Sequence, residues 1–134
     1  YPENSYTENY RQEVLNLVNA QRAKYGLTAL EMGNDDLTAA AQTRAEEIAV
    51  VNSHVRPDGS KCFTVLKDYG VTDTPTGENA AWGSVSPEEV VNAWMNSEGH
   101  RANILNPEAR KMSVGYYYNS NSTWGHQWIQ IFTK

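Results

Sequence analysis

At Met112 the spacing of apolar residues changes from helical to alternating, and that switch limits the folds open to the chain. Before it, apolar side chains recur three and four positions apart, the period of an amphipathic helix. After it, Val114, Tyr116 and Tyr118 alternate, residues 119–123 supply a turn, and residues 124–133 alternate again. The C-terminal quarter is therefore expected to be a β-hairpin rich in aromatic and β-branched residues. Helices followed by a hairpin predict an α+β fold, with helices flanking a small antiparallel sheet.

The helical part divides at punctuation residues. A first helix is expected over residues 7–25 on Tyr10, Val14, Leu15, Leu17, Val18 and Tyr25, with Gly26 as its C-cap. A second runs from an Asn34 cap to about Val51, with Leu37, Ala41, Ala45 and Ile48 on one stripe. Residues 53–60 carry Pro57 and Asp58-Gly59 and read as a turn, and residues 61–69 as a short helix closed by Gly70. Residues 72–77 read as a loop leading into a short buried strand over 78–83. Ser86, Pro87 and Glu89 form a capping box at the start of the next helix, whose apolar face is Val90, Val91, Ala93 and Trp94. Gly99 is expected to interrupt that helix, and residues 100–105 to resume as a helical turn stopped by Asn106-Pro107.

Length and charge narrow the function classes. A chain of 134 residues fits one domain, expected over residues 1–134. No apolar run approaches the roughly 20 residues that cross a bilayer, so no transmembrane segment is expected. Sixteen acids against eleven bases give a net charge of −5, which argues against nucleic acid as a partner and against docking on anionic lipid. A single cysteine, Cys62, cannot form an internal disulfide or a Cys-rich zinc site, and it reads as a small buried hydrophobe, with an accessible thiol as the alternative. The chain starts at Tyr1 rather than Met, so a processed or trimmed chain is expected. A monomer is expected as well.

The candidate chemistry lies in a few residues, each with a plain alternative. His54 sits in a Pro/Asp/Gly loop, either facing a cleft or simply exposed. Glu78 opens a buried stretch, so its carboxylate must be paired, hydrogen-bonded or shifted in pKa, or it fixes the loop through backbone amides. Ser97-Glu98-Gly99-His100-Arg101 lies at the break between helices, where His100 can turn inward. A His and a Glu two apart share no helix face, so this is not a His-Glu-x-x-His metal motif. His126 shares strand parity with Trp124, Trp128 and Gln130, while Gln127, Ile129 and Ile131 face the other way. Asn121-Ser122-Thr123 formally matches a glycan acceptor in a turn.

Four blocks in order carry a resemblance. They are Ser53-His54-x-Arg56-Pro57-Asp58-Gly59, Gly77-Glu78-Asn79-Ala80, the run from Trp94 through Ser97-Glu98-Gly99-His100-Arg101 to Leu105, and Trp128-Ile129-Gln130-Ile131-Phe132. The chain resembles the SCP-like or CAP superfamily, and the lack of disulfides together with the Ser-x-Gly-His-Arg block is similar to its bacterial branch. The resemblance implies an α-β-α sandwich in a secreted or cell-surface setting. It implies a cleft where two His and two Glu gather, in some members around a divalent metal. His54 and Glu78 match the first histidine and the Gly-Glu-Asn glutamate. At the other two positions this chain has Ser97 and Gln127, and His100 is the substitute that the bacterial-type pattern implies. The site implied is thus His54, Glu78 and His100, supported by Ser97 and Glu98. His54, His100 and Glu78 would form a three-ligand set for zinc or another divalent metal with one position open to water.

Three functions follow as expectations. The first is a binding module whose cleft recognises a small ligand, a lipid or a cell-envelope component. The second is a cleft whose His and Glu serve only to cross-link loops. The third is a metal-dependent, peptidase-like hydrolase in which Zn-bound water attacks the substrate. The resemblance names no reaction.

Overall fold

The computed structural model describes residues 5–134, and the side chains from Glu8 onward. Helix α1 (Ser5–Lys24) ends as the sequence predicts. Gly26 takes φ +72°, Leu27 N–H donates to Arg22 O at 3.0 Å, and Gly26 N–H donates to Ala23 O at 3.1 Å. A Schellman closure of this kind needs a left-handed residue, which glycine supplies without a Cβ clash. Val14, Leu15 and Val18 are buried, whereas Tyr25 is exposed at the helix end and packs against Arg101.

A two-residue strand, β1 (Glu31–Met32), follows and pairs in parallel with the hairpin. Two residues carry no period, so pattern reading passes over it. Helix α2 (Asp35–Ile48) starts where expected: the Asn34 side chain accepts from Leu37 N–H at 3.0 Å, with Asp35 and Asp36 in the positive first turn. It ends three residues before Val51. Residues 53–60 form the predicted turn, closed by an isolated bridge between Val55 and Lys61. Helix α3 (Thr64–Asp68) is shorter than the expected 61–69.

Strand β2 (Pro75–Trp82) begins three residues before the expected start, because Pro75 and its successors pair with the C-terminal strand through a register shift. In α4 (Pro87–Met95) the Ser86 hydroxyl accepts from Glu89 N–H at 3.1 Å. Ala93 is exposed rather than on the apolar face. Helix α5 (Glu98–Ile104) corrects another expectation. The break falls at Asn96-Ser97, and Gly99 lies inside the first turn of α5. Strands β3 (Lys111–Tyr118) and β4 (His126–Thr133) form the C-terminal hairpin.

The sheet order is β1-β3-β4-β2, which places β2 at an edge. On one face α2 and α3 cover Ala80, Ile129 and Ile131. On the other, α1 and α4 cover Met112, Val114, Trp128 and Phe132. Two helical layers around one sheet make the α-β-α sandwich. The sheet separates two apolar cores, and full burial of a side chain such as Ile129 contributes about 1.5–3 kcal/mol. Among the described residues, no helix is long and apolar enough to cross a membrane.

Candidate functional site at the edge strand

Consecutive residues of β2 face opposite layers, and this alternation builds the site. Glu78 turns toward α2. Asn79 turns toward α5. Arg44, on α2, donates from Nε to Glu78 Oε2 at 2.8 Å and from an Nη to Oε1 at 3.0 Å. The two side chains are 0% and 2% exposed. His54 reaches the same carboxylate from the loop after α2, with Nδ1 2.7 Å from Oε1. Glu78 offers only lone pairs, so the proton of this bond sits on Nδ1. The His54 side chain is 55% exposed.

Asn79 holds the second histidine. Its amide donates to His100 O at 3.1 Å and to Gln130 Oε1 at 3.2 Å, and it accepts from Asn103 at 2.9 Å. Asn103 also donates to Glu78 O at 3.3 Å. Gly77 makes room for this lock, since a Cβ there would lie 2.5 Å from the Asn103 side chain. One strand thus ties to both histidines, to the His54 ring through Glu78 and to the His100 backbone carbonyl through Asn79.

The His54 loop is fixed from outside by a chain of alternating charges. Arg44 donates to Glu47 at 2.9 Å and to Ser53 O at 3.1 Å. Arg56 then pairs with Glu47 at 2.8 Å and with Asp68 at 2.8 Å. Every carboxylate between Glu78 and Asp68 meets a guanidinium, and Arg can serve two partners because its donors form a planar fork. Sequence reading missed Arg44. The available signal was its position: it interrupts the stripe of Leu37, Ala41, Ala45 and Ile48, where a charge must have a buried partner.

The two imidazoles are tuned apart. The hydrogen bond to Glu78 outweighs burial and raises His54 above its ordinary value. Burial, with the charge of His54 adding to it, lowers His100. Burial alone would push the Glu78 carboxyl up, but the hydrogen bonds from His54 and Arg44 and the charge of Arg44 hold it down. Cys62 lies against this carboxylate. Burial first, then the negative charge of Glu78, pushes its thiol up to about 11, so it stays protonated. That chemistry suits a buried packing residue and not a thiolate nucleophile.

The supporting residues contribute less. Ser97 occupies the N-cap position of α5 without a side-chain capping bond, and Glu98 is exposed in its first turn. His126 lies away from the cleft, with Nδ1 2.7 Å from the Tyr116 hydroxyl and its ring beside Tyr118. Gln127 is buried at the far end of β4.

The donor set does not fit the three-ligand metal centre expected from sequence. Both Glu78 oxygens are engaged by Arg44 and His54, and His54 Nδ1 is engaged by Glu78. Among the described residues, no group of three His, Cys, Asp or Glu side chains is arranged to hold an ion.

Comparisons with known proteins agree with the fold. The model of the cysteine-rich secretory protein (CAP) family matches residues 15–132. An uncharacterised Bacillus subtilis protein, YkwD, is 41% identical over 122 residues, covering 90% of this chain and 47% of the relative. A Bacillus subtilis membrane protein, YlbC, is 34% identical over 116 residues, covering 82% of this chain and 33% of the relative. The chain therefore spans less than half the length of these relatives. A Bacillus anthracis extracellular protein containing an SCP domain superposes with TM-score 0.83 at 25% identity, over 96% of this chain and 41% of that one. An outer surface protein of Borrelia burgdorferi superposes with TM-score 0.74 at 25% identity, over 92% of this chain and 90% of that one.

Proposed function

We propose a function from the premise that this chain belongs to the cysteine-rich secretory protein (CAP) family, whose model spans most of its length. The protein is a binding module, secreted or displayed at the cell surface, whose β2 cleft takes a small ligand, a lipid head group or a cell-envelope component. Similarity to an extracellular Bacillus protein and a Borrelia surface protein supports the setting.

One observation carries the reading of the cleft: the 2.7 Å bond from His54 Nδ1 to a Glu78 that Arg44 already pins. A fixed Nδ1 orients the ring and presents Nε2 outward, at little entropic cost on binding. His54 favours the charged, donating form, while His100 favours the neutral form that keeps a lone pair. A ligand with an acceptor (carboxylate, phosphate or carbonyl) beside a hydroxyl or amide donor is complementary to that pair. The hydrolase reading gains less support, because Glu78 has no free oxygen to serve as ligand or base.

The test follows the imidazole ring signals by NMR while myristate, lysophosphatidylcholine and solubilised cell-wall fragments are titrated in. The expected result is a saturable shift of both His54 and His100 rings with one probe class, lost in His54→Ala. If no probe moves either ring, the binding reading fails.

A further inference from the structure

The tip of the β3–β4 hairpin carries two exposed aromatic rings that no part of the cleft uses. Trp124 is 55% exposed, the most exposed of the four tryptophans, and Tyr118 is 51% exposed. Neither ring hangs loosely. Tyr118 packs against Gly125 and beside His126, at 4.9 Å between ring centres, and His126 is itself held by the Tyr116 hydroxyl. Trp124 lies over Gly83, whose N–H donates to His126 O at 2.8 Å.

The turn between them is tied down as well. Asn119 N–H donates to Gly125 O at 2.8 Å, and its side chain accepts from Asn121 N–H at 2.9 Å. Ser122 Oγ donates to Asn119 O at 2.7 Å and accepts from Gly125 N–H at 3.1 Å. The side chains of Ser120, Asn121 and Thr123 are exposed in the same turn and make no hydrogen bond within the described chain.

Charge defines the partner. From Met112 to Thr133 there is no Asp, Glu, Lys or Arg, in a chain of which 20% is charged and whose net charge is −5. An ionic partner would find no Asp, Glu, Lys or Arg on the hairpin itself. Flat rings with a negative face attract the weakly positive C–H groups on the apolar face of a pyranose. Free amides and hydroxyls at the rim match its hydroxyls. A bilayer fits less well, since insertion would strip water from the Asn-Ser-Asn-Ser-Thr turn before either ring was buried, and no Lys or Arg flanks it.

We propose that the hairpin tip is a second binding surface, for a neutral hexopyranose polymer that stacks on Trp124 and Tyr118. It rests on the reading of an extracellular binding module but not on the β2 cleft.

The experiment uses the full chain, calorimetry and two probes, chitohexaose and cellohexaose. Saturable binding of one probe is expected, weakened about tenfold or more in Trp124→Ala and Tyr118→Ala and largely kept in Trp124→Phe. His54→Ala should leave it unchanged, which separates failure of this surface from failure of the cleft. Thermal unfolding of each variant guards against loss of fold. No binding of either sugar overturns the proposal, and so does binding indifferent to both rings. Capture by phosphatidylcholine vesicles in place of sugar overturns it in favour of a lipid surface.

Discussion

His54 and His100 are both tied to β2, yet their surroundings set them on opposite sides of the ordinary histidine value near 6.5. Glu78 stabilises the protonated form of His54, while burial and the His54 charge disfavour that of His100. Titration of the two rings by NMR should place the His54 midpoint above 6.5 and that of His100 below it. Glu78→Gln should bring the His54 midpoint down, since the partner loses its charge. Equal midpoints would remove the donor–acceptor division on which the cleft reading rests. The linkage to stability has opposite signs. His54 contributes stability that is complete below 6.5 and lost as pH rises through its raised value, and its exposure keeps that contribution small. His100 costs stability as pH falls below 6.5. His54 and Glu78 were legible as residues in sequence, because a histidine in a Pro/Asp/Gly loop and a carboxylate opening a buried run are both unusual. Their contact was not, being made across 24 positions.

Two glycines show how elements are held. Gly115 on β3 lies under α2, where a Cβ would sit 2.1 Å from the Ala41 carbonyl oxygen. That neighbour is backbone and cannot turn aside, and Gln42 clamps the same approach by bonding Tyr116 N–H at 3.1 Å and Tyr116 O at 2.8 Å. Gly115→Ala should therefore cost about 3 kcal/mol in urea unfolding, at the upper end for overpacking. Gly99 is the opposite case: nothing lies within 4 Å of its missing Cβ, and its φ is ordinary for a helix. Gly99→Ala should stabilise the fold by about 0.5–1 kcal/mol through backbone entropy. A large loss at Gly99 would restore it as the break between helices that the sequence suggests. Long periodic elements and caps were readable because their signals are local. β1 and the early start of β2 were not, because pairing with β3 and β4 creates them.

Across the whole molecule, the Glu78–Arg44 pair joins the edge strand to the outer helical layer, and Arg44 extends that tie to the 53–60 loop. Removing one partner leaves the other charged and dry, so Arg44→Met should cost about 3–5 kcal/mol of unfolding free energy. A loss below about 1 kcal/mol would mean that the pair does not cross-link the layers. The same pair sets an acid limit. The Glu78 carboxyl is depressed below 4.5 in the fold, so its contribution is present above that value and is lost as pH falls through the depressed one. The sequence by itself determined the helices, the hairpin, the family resemblance and the residues bearing chemistry, because period, capping and motif order act over short separations. Only the tertiary structure decided that Arg44 and His54 share the Glu78 carboxylate and that Asn79 ties down the backbone of His100. Those outcomes depend on which faces of α2, β2 and α5 meet across the sheet edge, and no spacing along a single chain encodes that meeting.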